Sequence, residues 1–155
     1  QGSVMSAAQE IFDVVRAGDT ARLKALLAAE PGLANARNER GHSPVMIAQY
    51  HHKPETVAVL LDARPELDIF DAASVGQTGR VAELLDRDPT LLQALSADGF
   101  APLGLAAFFG QVETVKLLLA RGADPKAKHA MDASAIGLAA MKGHHEVLKL
   151  LKGQA

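Results

Sequence analysis

The chain has 155 residues, of which 48% are hydrophobic and 22% charged, and its formal net charge is −2. This length suffices for one compact domain. Near-neutral charge lacks the positive field that binds phosphate backbones, so no nucleic-acid partner is expected. The chain has no cysteine, which excludes disulfides and thiolate sites. It also has no apolar run of about 18 residues and no leader-like segment, so we expect a cytoplasmic protein that does not enter a membrane.

Residues 1–5 are interpreted as the remnant of an expression tag and the start of the chain, and residues 6–155 as one domain. Aromatic residues make up only 4% of the sequence, while alanine and leucine are abundant. This composition favours closely packed helices over a sheet.

The sequence matches itself when it is shifted by 58 positions. The shift aligns Ile11–Asp13 with Ile69–Asp71 and Glu55–Val57 with Glu113–Val115. Without a gap, 19 of the 52 residues from 11 to 62 are identical to their counterparts. A duplication is the simplest explanation.

A shorter unit lies within this duplication and predicts five helix pairs in chain order. In each unit an apolar helix ends at a turn position, and a second helix that carries a leucine pair follows. The turn positions are spaced by 34, 24, 34 and 33 residues and are Gly18, His52, Gly76, Gly110 and Gly143. Asp19, Gln77 and Lys53-Pro54 predict the starts of second helices, because polar caps and an N-terminal proline suit the first turn.

The best copy of the unit runs from Gly99 to Asp124. It reads Gly-Phe-Ala-Pro-Leu-Gly-Leu-Ala-Ala, followed by Gly110, the leucine pair and Gly-Ala-Asp. This pattern resembles the ankyrin repeat, whose signature contains Thr-Pro-Leu-His. The resemblance implies an all-α ankyrin-type repeat solenoid. We expect five repeats, at about 7–35, 36–66, 67–93, 94–126 and 127–152.

Three features depart from the family pattern. The signature histidine is replaced by Met46, Gly104 and Gly137, so the hydrogen bonds that it makes in the family cannot form. The 24-residue spacing leaves no room for a finger loop between residues 62 and 67, which predicts a notch between the segments 36–43 and 94–101. The last helix is apolar on more than one side, so its edge is expected to meet further repeats or a second copy.

Enzyme and metal signatures are weak. The segment Gly99–Gly104 has phosphate-loop glycine spacing, but Leu105 and Ala106 replace the required Lys and Ser/Thr. Ser74 lacks the preceding glycine of a nucleophile elbow. The six histidines include no pair at i, i+4 spacing. We therefore predict no catalytic residue, no cofactor and no metal site.

The resemblance also implies where a partner binds. In the family, the two residues after the Ala-Ala pair end the first helix and face the concave surface, beside the loop tips. The predicted partner-binding residues are Tyr50, His51, Val75, Phe100, Phe108, Phe109, Met141 and Lys142, with Arg37, Arg40, Asp98, His129 and Met131 on the rim. Aromatic residues and methionine are favoured at interface centres. One of the two phenylalanines, but not both, is expected to pack between repeats.

These observations predict a module that binds a protein or peptide through its concave face and finger loops. One alternative is a small-molecule or catalytic role in the notch, near the glycines at 104 and 137. Another is a spacer within a longer repeat array. Loss of binding on replacing Tyr50, Phe108 and Phe109 would distinguish the first interpretation.

Overall fold

The computed structural model describes residues 6–153, so the predicted tag remnant at residues 1–5 lies outside the described residues. Within residues 6–153 the chain is helical and contains no strand, which confirms the all-α prediction. The α-helices in this range are α1 (Ala7–Ala17), α2 (Thr20–Ala29), α3 (Pro44–Tyr50), α4 (Pro54–Asp62), α5 (Ile69–Val75), α6 (Thr78–Arg87), α7 (Pro102–Phe108), α8 (Val112–Ala120), α9 (Ala135–Lys142) and α10 (His145–Gly153). No helix among them has both the length and the apolar character needed to cross a membrane.

The chain forms two compact units, the first ending at Glu66 and the second beginning at Leu67. In the first unit α1 packs against α2 and α3, and α4 packs against α2 and α3. Its core includes Ile11 and Val15 of α1, Leu23 of α2, Val45 of α3 and Leu60 of α4. Two stacked helix pairs result. The prediction that residues 6–155 form one domain stays a prediction.

The second unit stacks three helix pairs. The first helices α5, α7 and α9 lie in one row, and the second helices α6, α8 and α10 lie in another. Leu105, Ala106 and Ala107 of the central helix α7 are at most 1% exposed. The small side chains of Ala106 and Ala107 let neighbouring first helices approach closely, as the composition predicted.

The leucine pairs place one side chain in the core of each repeat. Leu27, Leu60, Leu85, Leu118 and Leu151 are buried. Their partners Leu26, Leu61, Leu84, Leu119 and Leu150 are half-buried. This burial confirms the helix-period pattern read from the sequence.

The predicted second-helix starts are also observed. The Asp19 side chain accepts a hydrogen bond from the backbone N–H of Arg22 at 3.0 Å, so α2 begins at Thr20. The helix α4 begins at Pro54, and α6 begins at Thr78 after Gln77. Proline is tolerated at this position because the first helical N–H groups have no intrahelical acceptor.

The connections between helix pairs differ in length, as the repeat spacing predicted. Fourteen residues separate α2 from α3, α6 from α7 and α8 from α9, but only six separate α4 from α5. Residues 64–68 form no turn or helix, and the side chain of Asn35 holds this connection by accepting a hydrogen bond from the N–H of Glu66 at 2.7 Å. The finger loop is therefore missing here. The notch itself stays a prediction.

The sequence did not predict the short 3-10 helices at Pro31–Asn35, Pro89–Gln93 and Ala130–Asp132. The first two follow α2 and α6, and both begin with proline. Proline ends the preceding α-helix because its ring restricts the residue before it.

Candidate partner-binding surface

Three finger loops project from the described repeats, and each is closed by a backbone hydrogen bond. In the first finger (residues 36–43), the N–H of Asn38 donates to the carbonyl of His42 at 3.0 Å. In the second (94–101), Ser96 donates to Phe100 at 2.8 Å. In the third (127–134), His129 donates to Ala133 at 3.2 Å. These bonds give each finger a defined shape before any partner binds.

The second and third fingers, which both belong to the second unit, contact each other directly. The backbone N–H of Ala130 donates to the carbonyl of Gly99 at 3.1 Å. A Cβ on Gly99 would lie 3.3 Å from the Cβ of Ala130. The two fingers therefore form a continuous edge that includes Phe100.

In the first unit, Tyr50 and His51 lie at the end of α3. Tyr50 is its last residue and is half-buried, whereas His51 follows the helix and is exposed. The Tyr50 ring meets the ring of His42 edge-on, with centroids 5.9 Å apart. This contact orients the tyrosine and leaves part of it at the surface.

In the second unit, three predicted site residues come together at the ends of α7 and α9. The rings of Phe108 and Phe109 meet edge to face, with centroids 4.9 Å apart and planes at 87°. The Nζ atom of Lys142 lies 5.1 Å from the centroid of Phe108, within cation–π range. Phe108, Phe109 and Lys142 are called the aromatic cluster below.

The expectation that one phenylalanine, but not both, packs between repeats stays a prediction. Phe108 and Phe109 are both half-buried. Their edge-to-face contact explains this, since each ring covers part of the other. Both rings therefore keep part of their surface accessible.

The remaining predicted site residues lie near the ends of first helices or on finger loops. Val75 is the last residue of α5 and is half-buried. Phe100 lies at the base of the second finger, where its N–H donates to the Oγ of Ser96 at 3.2 Å. Met141 in α9 is 61% exposed, and Met131 near the tip of the third finger is 67% exposed. Both methionines are thus available to a partner.

The first unit also contains a cleft of about 530 Å³ between α1 and the first finger. It is lined by Ala8, Gln9, Phe12, Asp13, Arg16, Arg37, Asn38 and Glu39. Arg16 and Asp13 form an ion pair at 2.7 Å. Two arginines face two carboxylates in this lining, so the cleft offers polar and charged contacts without a strong net charge.

Sequence reasoning missed a pair of side chains that connect neighbouring repeats. The Nε2 of Gln111 donates to the carbonyl of Ser74 at 2.8 Å, and the Nε2 of His144 lies 2.9 Å from the carbonyl of Phe108. Gln111 and His144 each directly follow the turn glycine of their own repeat. Each side chain reaches the first helix of the repeat before it. We call these contacts the inter-repeat braces.

A brace also restricts which residue fits at the turn glycine Gly110. A Cβ on Gly110 would lie 2.6 Å from the Nδ1 of His144, so any larger residue would displace the imidazole ring. The brace from His144 ends on Phe108 and therefore fixes one member of the aromatic cluster. The sequence carried a signal for this contact, since Gln111 and His144 both directly follow a turn glycine.

One small cavity lies beside Gly104, near which the alternative small-molecule role was expected. It measures about 20 Å³ and is lined by residues including Gly104, Leu103, Ala135 and Leu138. This volume holds about one water molecule. The cavity is therefore too small for a metabolite.

In residues 6–153, no group of three or more His, Asp or Glu side chains has a metal-binding arrangement. Glu83 on α6 has its pKa lowered, first by a hydrogen bond from Arg80 and then by the charge of Arg87. This carboxylate is exposed and belongs to a surface ion-pair group with Arg80 and Arg87. It is not a candidate catalytic group.

Comparison with known proteins decides the family. The family model described as ankyrin repeats (3 copies) matches residues 11–129 and residues 69–155. The chain belongs to the ankyrin repeat family. Ankyrin repeats generally act as protein-protein interaction modules, and the family is generally non-catalytic.

Several curated ankyrin repeat proteins are similar to this chain. The ankyrin repeat and SAM domain-containing protein 6 of Rattus norvegicus is 35% identical over 88 residues, which cover 56% of this chain and 10% of that protein. The E3 ubiquitin-protein ligase XB3 of Oryza sativa subsp. japonica is 39% identical over 92 residues, which cover 58% of this chain and 20% of that protein. The DNA-binding protein RFXANK of Homo sapiens is 34% identical over 87 residues, which cover 56% of this chain and 34% of that protein. The chain spans between 10% and 34% of the length of these relatives.

Proposed function

We propose that this ankyrin repeat protein binds a partner protein or peptide through the ends of its first helices and its finger loops. The aromatic cluster of Phe108, Phe109 and Lys142 is the observation that carries the proposal. It lies at positions that the repeat itself does not need for its leucine core. The exposed side chain of Met141 follows in the next repeat.

The chemistry of these residues suits an apolar ridge on the partner. Aromatic rings and methionine bring a large contact area at a small cost in rotamer entropy. A buried aromatic anchor at an interface centre contributes about 2 kcal/mol or more on truncation to alanine. The cation of Lys142 beside Phe108 adds a charged contact at the edge of the apolar area.

The cleft in the first unit adds a second kind of contact. Arg16 and Arg37 can donate to carboxylates or carbonyls of a bound segment, and Asp13 and Glu39 can accept from its amides. Such paired polar groups fix the register of a partner more than they raise its affinity. The contact proposed for the first unit is therefore mainly polar.

The proposal includes no catalytic step, in keeping with the generally non-catalytic family. It also places the protein in the cytoplasm, because a chain without cysteine suits a reducing compartment. The small-molecule alternative is not favoured at Gly104, where the cavity of about 20 Å³ is far smaller than the roughly 300 Å³ of ordinary ligand pockets.

The test selects ligands from a random peptide library displayed on phage and measures the affinity of the recovered peptides. The variant Tyr50→Ala/Phe108→Ala/Phe109→Ala should weaken their binding at least about 30-fold, as expected for the loss of one strong hot spot. Circular dichroism should show nearly unchanged helical content. The matched control Lys24→Ala/Arg87→Ala/Lys116→Ala removes exposed side chains from second helices and should bind normally.

Two results would overturn the proposal. One is full affinity of the triple aromatic variant while it remains folded. The other is loss of affinity in the second-helix control alone. Either would move the binding surface away from the ends of the first helices.

A further inference from the structure

The exposed methionines of residues 6–153 both lie on the proposed partner-binding surface. Cysteine is absent, so methionine supplies all the sulfur of the chain. Met131 and Met141 are 67% and 61% exposed, whereas Met46 of α3 is only 4% exposed. Met5 lies outside the described residues. Solvent-borne reagents therefore reach the sulfur of this part of the chain where a partner is proposed to bind.

Exposure decides which methionine reacts with a peroxide. A lone pair of the thioether sulfur attacks one oxygen of hydrogen peroxide, the O–O bond breaks, and a sulfoxide and water form. The sulfur loses an electron pair and the peroxide gains it. A dithiol reverses the change, returning the thioether and yielding a disulfide and water. Because the chain has no cysteine, no thiol of its own competes for the peroxide.

The two exposed methionines differ in their place on the surface. Met141 directly precedes Lys142 in the last turn of α9, and the Nζ atom of Lys142 lies 5.1 Å from the ring centroid of Phe108. The helix α9 also packs against α7, which ends at Phe108. Met131 lies near the tip of the third finger, on the rim of the surface. Comparable exposure thus occurs beside the aromatic cluster and on a finger.

We propose that Met141 is a modification site, at which oxidation to the sulfoxide by a peroxide weakens partner binding. The inference rests on the proposed function, because it concerns the regulation of the same surface. The thioether of methionine gives apolar contact area, but the sulfoxide is polar. Burying its oxygen against an apolar ridge of the partner without a hydrogen-bond donor opposes binding.

Oxidation at Met141 leaves the helix stack intact. Its side chain is mostly in solvent, and the core beside it is formed by other residues, including Leu138 and Val147. The sulfoxide therefore affects binding and not folding. A sulfoxide at Met46 would instead disrupt the core of the first unit, and the burial of this residue protects it from the peroxide.

The test measures peptide affinity before and after the full chain is treated with dilute hydrogen peroxide. The ligands are phage-selected peptides that contain neither methionine nor cysteine, and catalase removes the peroxide before they are added. Mass spectrometry should find sulfoxide at Met131 and Met141 but not at Met46. Affinity should fall at least about tenfold, the cost of burying one unpaired polar group. Circular dichroism should be unchanged, and methionine sulfoxide reductases with a dithiol should restore the affinity.

Met141→Leu and Met131→Leu are the matched variants. Leucine preserves the apolar contact and the helix but cannot be oxidised in this way. Peroxide should weaken binding by Met131→Leu as it does for the unmodified sequence, whereas Met141→Leu should keep its affinity. Met141→Gln places a polar side chain at the site and should weaken binding without any oxidant. Met131→Gln should bind normally, since rim positions contribute little to affinity.

The outcomes separate this inference from the proposed function. Affinity of the untreated chain, and its loss in Tyr50→Ala/Phe108→Ala/Phe109→Ala, tests the proposed function. The ratio of affinities before and after oxidation tests the inference alone. It would be overturned by unchanged affinity of a chain oxidised at Met141, by an equal loss in Met141→Leu, or by protection through Met131→Leu instead.

Discussion

At the level of single residues, the tip of the third finger differs from the tips of the other two. Gly41 and Gly99 occupy the left-handed region of backbone space, both with φ of 85°. The equivalent residue in the third finger is Asp132, with φ of 54°, and Met131 before it has φ of 60°. A side chain in this region clashes with the following carbonyl, although aspartate tolerates it better than most residues do.

Asp132→Gly should therefore stabilise the second unit. Relief of the left-handed backbone should raise the free energy of unfolding by about 0.5–1 kcal/mol, measured by urea denaturation. Asp132→Asn is the control, since asparagine also tolerates this region and only the weak, exposed contact to Lys128 at 3.9 Å is lost. A lower stability of the glycine variant would show that Asp132 makes a more valuable contact than its backbone strain.

The Glu83 carboxylate predicts a small dependence of stability on pH. Its pKa is lowered in the folded chain by Arg80 and Arg87, so the ionised form favours folding. This contribution is present at neutral pH and is lost as the pH falls through the lowered pKa. Glu83→Gln should slightly lower the urea concentration at the midpoint of unfolding at pH 7 and leave it unchanged in acid. An equal loss at both pH values would contradict this.

At the level of elements, the inter-repeat braces determine how first helices are held. The side chain of Gln111 reaches the carbonyl two residues before the turn glycine Gly76. The side chain of His144 reaches the carbonyl two residues before the turn glycine Gly110. Those carbonyls belong to Ser74 and Phe108, which end or nearly end α5 and α7. The braces thus connect the ends of these two first helices to the following repeat.

Removal of one brace should have a measurable cost. Gln111→Ala leaves the Ser74 carbonyl without this donor and should lower the free energy of unfolding by about 1 kcal/mol, measured by urea denaturation. Gln93→Ala, at an exposed glutamine of the second 3-10 helix, should change it little. Equal effects of the two substitutions would show that the brace does not stabilise the stack.

At the level of the whole molecule, the sequence predicted much of the fold because helix pairs carry a periodic signal. The 58-residue and 33-residue periods, the leucine pairs and caps such as Asp19 are patterns of residue type. The 24-residue spacing between His52 and Gly76 correctly predicted the short connection from α4 to α5. Each of these features is a spacing or a residue type in the sequence, so it can be read without coordinates.

The contacts that the sequence did not predict depend on how the chain folds in three dimensions. Gln111 and Ser74 are 37 residues apart, and no periodic pattern assigns a hydrogen bond to them. The joint packing of Phe108 and Phe109 depends on ring orientation, which composition does not encode. The cleft beside α1 likewise needs the first finger folded back to α1, which brings Arg37 and Asp13 into one lining.

We propose that a partner binds at the ends of the first helices and at the fingers. A hydrogen-exchange footprint of the chain with and without a phage-selected peptide tests it most directly. We predict protection at the ends of α7 and α9 and in the fingers at 94–101 and 127–134, with no protection in α6 and α8. Protection confined to α6 and α8 would contradict the account.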